Sequence, residues 1–265
     1  MFWVLVLACS SSSPVATPPP PRPSLVLVTM DTTRRDRVGA YGYALAHTPN
    51  VDRFAAEGIR FDRAYATVPL TTPAHSSIHT GVYPTKHGVH SNGDAVLPES
   101  LTTLAELLQA SGYSTAAAVS AFVTTRAWNF DQGFDTYLDD LSGKEKANRW
   151  RQERPANEVV DDAIAWLTAQ PTDRPTFLWV HLYDPHRPYE APAAWKAQVP
   201  DRPYDAELAF MDDQIGRLRA AVDQRGVPTA WICCRRVRAT QCTSRHSRPS
   251  SGSGTTRSSQ WSRAI

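Results

Sequence analysis

The segment that most constrains this fold is Ser24–Asp31, SLVLVTMD. It is rich in Leu and Val, lies between a Pro-rich stretch and a polar loop, and ends on a carboxylate. A short run that is apolar at successive positions, and so on both faces, fits a strand covered on both sides, as in a parallel sheet with helices above and below. Asp31 then falls at the carboxyl end of that strand, where open α/β sheets place their reactive groups.

The rest of the chain supports the same architecture. TPNVDRFAAEGIRF carries Val51, Phe54, Ala55 and Ile59 at helical spacing with Gly58 as a stop, and LTTLAELLQA (101–110) repeats the pattern before Gly112. Residues 157–170 place Val160, Ile164 and Leu167 on one helical face. A last helix from about Tyr204 to Gln224 carries Leu208, Met211, Ile215 and Leu218. Further strands are predicted at 114–123 and 176–182. Strands alternating with helices predict an α/β fold with a mostly parallel (mixed) sheet and helices on both faces.

Three chemistry-bearing segments should meet beyond the strand ends: Asp31, the TTPAHSS loop (71–77) and YDPHRPY (183–189). Thr71, followed by Pro73 and a helix-compatible run, reads either as a helix N-cap or as a hydroxyl activated by the helix dipole. A nearby metal would favour the second role by lowering the hydroxyl's pKa. His75, His79, His87 and His90 cluster, and His181 and His186 flank the later loop. The prolines on either side of His186 and Arg187 restrict the backbone there, so that ring is a candidate donor to a substrate oxygen.

Charge and cysteine divide the chain. All 26 acidic residues precede position 224, whereas residues 224–265 hold eight arginines and no lysine. Cys9 stands alone at the front, and Cys233, Cys234 and Cys242 lie in the tail, so no disulfide framework supports the body. The apolar residues 2–8 run into Cys9 as V-L-A-C, which resembles a bacterial lipobox, and residues 10–23 read as a Ser/Pro tether. This predicts export to the cell envelope or periplasm and anchoring through a lipidated Cys9. The predicted organisation is therefore a signal-like segment 1–9, a linker 10–23, a catalytic domain 24–230 and an aberrant basic tail 231–265. The tail's arginines lack the aromatic and basic interleaving of a nucleic-acid surface, so no nucleic-acid partner is expected.

Several ordered blocks resemble the sulfatase family of the alkaline phosphatase superfamily: MDTTRRDRVGAYGY, TPNVDRFAAEGIRFDRAYA, TTPAHSSIHTGVYPTKHGV, HSNGDAVLPESLTTLAELLQASGYSTAA, GFDTYLDD, HLYDPHRPY and YDAELAFMDDQIGRL. The resemblance covers about residues 24–228 and implies an alkaline-phosphatase-like sheet. It also implies a divalent metal, with calcium as the first expectation and zinc or manganese as alternatives. By position it makes Asp31 and Thr71 metal ligands, Thr71 the nucleophile, His186 a catalytic contact to the transferred group or leaving oxygen, and Asn92 and His75 substrate contacts. The implied substrate is a small-molecule or glycan sulfate or phosphate ester.

Three positions depart from the family pattern. Thr32 replaces a common second ligand Asp, His75 replaces the usual Arg, and Thr71 replaces the usual Cys. Threonine cannot enter the formylglycine route, which favours direct alkoxide attack and phosphoryl over sulfuryl transfer. The family continues with a strand ending in Asp-His or Asp-Asn, where this chain reads WICCRRVRATQC and resembles a shifted reading frame. A C-terminally incomplete, weakly active or inactive hydrolase or transferase is therefore expected. The alternative is a non-catalytic exported lipoprotein that binds an anionic ligand on the same fold.

Overall fold

The computed structural model describes residues 22–143 and 152–235. The lipobox-like segment, nearly all of the Ser/Pro linker and the tail beyond Arg235 lie outside the described residues.

Five parallel strands form one sheet: β1 (Ser24–Met30), β2 (Ser114–Val119), β3 (Thr136–Leu138), β4 (Thr176–Leu182) and β5 (Thr229–Arg235), in the order β3-β2-β4-β1-β5. Seven helices accompany them among the described residues: α1 (Pro49–Glu57), α2 (Thr71–Thr80), α3 (Pro84–His87), α4 (Leu104–Ala110), α5 (Ala156–Ala169), α6 (Ala193–Gln198) and α7 (Pro203–Gln224).

The two-residue period of the strands divides their side chains between two cores. Val26, Val28, Ala116, Ala118, Leu178 and Val180 pack with α5 and α7, whereas Leu27, Ala117, Val119, Phe177 and Trp179 pack with Ala105 of α4 and with Phe130. Helices therefore cover both faces, which accounts for the near-continuous apolar runs. Each fully buried aliphatic side chain contributes about 1.5–3 kcal/mol relative to exposure.

The expected elements appear, with shifted ends. β2 stops at Val119 rather than 123, because Ser120, whose N–H still donates to the His181 carbonyl at 3.1 Å, turns its acceptor away from β4. Its backbone carbonyl accepts Arg154 N at 2.8 Å, and its hydroxyl donates to the Arg154 carbonyl. α4 begins at Leu104 rather than 101, because Thr103 and Glu106 form a reciprocal capping box. Ile59, expected on the α1 core face, follows the helix end and is 87% exposed.

At the far edge, β5 pairs with β1 from Ser24–Thr229 to Met30–Arg235. Residues 231–235, assigned to the tail on composition, are thus a sheet strand. Trp231 and Cys233 pack towards one core and Cys234 towards the other, an alternation that composition could not show.

Candidate active site

The site lies beyond the carboxyl ends of β1 and β4, the two central strands. Asp31 follows β1 directly, and its backbone N–H donates to the Leu182 carbonyl at 2.9 Å, extending the β1–β4 ladder by one step. The chain then turns sharply. Thr32 has φ 53°, a left-handed conformation that costs a β-branched residue about 1–3 kcal/mol. Tyr204 of α7 holds this turn by donating its hydroxyl to the Thr32 carbonyl at 2.9 Å, and the Thr32 hydroxyl donates to the Pro185 carbonyl. Packing thus fixes a strained turn that aims the Asp31 carboxylate.

His181 sits in β4, in register with Thr29 of β1. Its Nε2 lies 3.7 Å from Asp31 Oδ2, and both side chains are fully buried. His75 on α2 completes a group in which Asp31, His75 and His181 each offer one ligand atom within 4.8 Å of the others. The rings of His75 and His181 meet edge to face at 4.8 Å. Trp179, two residues before His181, backs both rings and anchors its indole N–H on the Thr29 hydroxyl at 3.0 Å.

Thr71 is the first residue of α2, and the N-cap position belongs to Leu70, whose side chain caps nothing. The N-cap reading of Thr71 is thus displaced by one residue. The missing cap comes from Asn92, whose Oδ1 accepts the Thr72 N–H at 2.9 Å. Thr71 and His75 stand four residues apart on one helical face, which puts Thr71 one turn from a member of the buried group. His75 Nδ1 lies 2.8 Å from the Thr71 carbonyl oxygen.

His186 lies on the loop after β4, flanked by two cis peptide bonds, Asp184–Pro185 and Arg187–Pro188. Its Nδ1 is 3.1 Å from Glu153 Oε2, and its backbone N–H donates to Glu207 of α7 at 3.0 Å. Glu207 also accepts the Glu190 N–H at 2.6 Å and so clasps both ends of the loop. Burial pushes the Glu207 carboxyl up to about 8 and that of the neighbouring Asp184 up to about 7.

Of the residues expected from sequence, Asp31 and His75 come together, and Thr71 stands one turn before His75 at the N-terminus of α2. Asn92 braces the first turn of that helix, and His186 belongs to the adjoining loop. His75, expected to contact substrate, is 1% exposed and belongs to the candidate ligand group. His181 was read from sequence only as a residue flanking the loop, and Glu153 was not read at all. His79 is buried against Trp179, and burial lowers it to about 3, so it stays neutral. Burial of Cys233 pushes its thiol up to about 12, which disqualifies it as a nucleophile at neutral pH.

The donor set fits a divalent ion: one carboxylate and two imidazoles, all buried, beside a hydroxyl at a helix N-terminus. Burial of an acid next to two imidazoles is costly without charge compensation, and a cation between them would supply it.

Comparisons with known proteins bear on the family and the fold. The family model described as Sulfatase matches residues 23–233. The chain is 29% identical over 223 residues to the uncharacterized sulfatase YidJ of Escherichia coli, covering 72% of this chain and 44% of that protein. It is 30% identical over 217 residues to an N-acetylglucosamine-6-O-sulfatase of Bacteroides thetaiotaomicron, covering 77% of this chain and 38% of that protein. The chain thus spans less than half the length of these two relatives. Among solved structures, a protein in the alkaline phosphatase superfamily from Vibrio parahaemolyticus superimposes with a TM-score of 0.64 at 21% identity, covering 80% of this chain and 53% of that one. The alkaline-phosphatase-like fold expected from sequence is the one observed.

Proposed function

The chain belongs to the sulfatase family, and from that premise we propose that its site cleaves sulfate or phosphate esters through Thr71, with phosphate esters the better substrates. The observation that carries this reading is the placement of Thr71, first residue of α2, one helical turn before His75 of the buried Asp31–His75–His181 group.

A divalent ion held by Asp31 beside Thr71 would favour the Thr71 alkoxide and offset charge on the transferred group. The Thr71 oxygen then bonds to the central phosphorus or sulfur as the bond to the leaving oxygen breaks. His186 supplies the proton that the leaving oxygen needs, while Glu153 holds Nδ1 and turns Nε2 to the substrate. The N-terminal turn of α2, braced by Asn92, presents the positive end of its dipole to the anionic group. In the second half-reaction His186, now the base, takes a proton from the water that attacks the same central atom, the bond to the Thr71 oxygen breaks, and the inorganic anion leaves.

The preference for phosphate follows from the nucleophile. A threonine ester has no hemiacetal hydroxyl to expel sulfate by elimination, so both anions must leave by attack at the central atom. The name of the Bacteroides relative, an N-acetylglucosamine-6-O-sulfatase, supports a sugar ester as the substrate class.

The test is a single-turnover experiment on the full chain with excess divalent metal. Incubation with an aryl phosphate or an aryl sulfate, acid quench and peptide mass spectrometry should place a phosphate on Thr71, with little or no sulfate ester. An adduct elsewhere, or none with either substrate, would reject the reading.

A further inference from the structure

The hydrogen bonds around the two buried imidazoles fix their tautomers, and that bears on which metal the site takes. His75 Nδ1 faces the Thr71 carbonyl oxygen at 2.8 Å. A carbonyl can only accept, so Nδ1 carries a proton, and in the neutral ring that binds a metal Nε2 keeps its lone pair. At His181, Nδ1 lies 3.4 Å from the Thr124 hydroxyl oxygen, and that hydroxyl's single proton is directed to the Ala121 carbonyl at 2.9 Å. In the neutral His181 ring Nδ1 is then also the donor, and the Nε2 that lies 3.7 Å from Asp31 Oδ2 is the lone-pair nitrogen.

Metal-binding histidines commonly show this arrangement, with one nitrogen donating to a carbonyl or hydroxyl and the other presented to the ion. Donors at typical zinc bond lengths stand about 3.3 Å apart in a tetrahedral site, so the three atoms, 3.7 Å apart for His181 and Asp31 and all within 4.8 Å, would draw together around the ion. Calcium seeks about 6–8 oxygens and has little use for imidazole, whereas borderline transition ions favour it.

We propose that Asp31, His75 and His181 form a nitrogen-rich site for a zinc-class divalent ion, replacing the calcium site expected from the family pattern. The inference rests on the proposed ester chemistry only for its location beside Thr71. His75 replaces the family's usual Arg, and this substitution adds a second imidazole to a site that would otherwise have one. Three protein donors leave a further coordination position for the Thr71 oxygen or a substrate oxygen, as in catalytic rather than structural zinc sites.

The test uses the full 265-residue chain, stripped with a chelator and titrated separately with zinc, calcium and cobalt(II). Zinc should bind with one equivalent at least about 100-fold more tightly than calcium. Cobalt(II) should give the intense visible bands of a four- or five-coordinate ion without a thiolate charge-transfer band. Nitrogen NMR of labelled histidines should show zinc displacing the Nε2 resonances of two residues while their Nδ1 protons persist. That readout needs no variant. His75→Ala and His181→Ala, checked for folding by circular dichroism, should each weaken zinc by about tenfold or more.

Tighter calcium binding would overturn the proposal, as would a thiolate band, which would place the ion at the tail cysteines. Unmoved histidine resonances would do the same. A Thr71 adduct formed with calcium alone would reject this inference and leave the ester reading standing. Zinc held at His75 and His181 with no Thr71 adduct would reject the ester reading and leave this one standing.

Discussion

The Nδ1 of His75 lies 2.8 Å from the carbonyl oxygen of Thr71, one turn back along α2. This bond ties the proposed nucleophile's own backbone to a ring of the buried group, so movement of one is felt by the other. It also gives α2 two tasks, offering a hydroxyl at its N-terminus and an imidazole on the same face.

Replacing Thr71 separates these tasks. Thr71→Ala keeps the backbone carbonyl and the His75 contact but removes the attacking oxygen, so turnover of an aryl phosphate should fall by about 10³-fold or more while metal binding is largely kept. Thr71→Ser retains a hydroxyl and should keep a measurable fraction. Steady-state rates together with a metal titration decide it, and an unchanged rate in Thr71→Ala would reject Thr71 as the nucleophile.

His186 should matter in proportion to the leaving group. His186→Ala is expected to slow alkyl esters by about 10²–10⁴-fold and nitrophenyl esters much less, because nitrophenolate needs no proton to depart. Glu153→Gln should move rates in the same direction by less, since Gln keeps an acceptor opposite Nδ1 but loses the charge. Rates across aryl esters of graded leaving-group pKa measure this, and the dependence should steepen in both variants.

These two residues also show where the sequence was legible. His186 sits in a loop whose prolines and family pattern mark it, whereas its partner Glu153 comes 33 positions earlier, outside every block that carries the family pattern. His181 was concealed differently. It stands in TFLWVHL, every residue of which is buried, so strand periodicity treats it as one more core position. β3 was missed because three residues with one buried side chain, Tyr137, carry no period. The long helices and β1 were legible because burial on one or both faces writes itself into the sequence over many residues. Contacts between distant segments leave no such trace.

Asp212 is another such contact. On α7, it accepts the backbone N–H groups of Asn50 and Val51 at 3.0 and 2.8 Å and the Asn50 side chain at 2.9 Å, capping the first turn of α1 from 162 residues away. Asp212→Ala leaves these donors unmet and should cost about 1–3 kcal/mol by urea unfolding. A change below about 0.5 kcal/mol would mean that water replaces the cap.

Asp184 in the 183–190 loop and Glu207 on α7 beneath it should make stability depend on pH. Burial raises Asp184 to about 7 and Glu207 to about 8, from ordinary values of 3.8 and 4.5. Between the ordinary and the raised values the folded chain binds more protons than the unfolded one, so stability falls as pH rises through this window. The contribution is favourable in the folded state below pH 4 and is lost by about pH 8. Asp184→Asn keeps the shape without the titration, so it should flatten the decline between pH 4 and pH 7 and raise the melting temperature most at pH 7 and above. Glu207→Gln differs, because Gln has one acceptor for the two backbone N–H groups of His186 and Glu190. It should remove the upper part of the slope while loosening the loop that carries His186, lowering activity more than stability. Thermal melts of the three proteins from pH 5 to pH 8.5 decide this, and an Asp184→Asn curve parallel to wild type would show that Asp184 ionises normally in the fold.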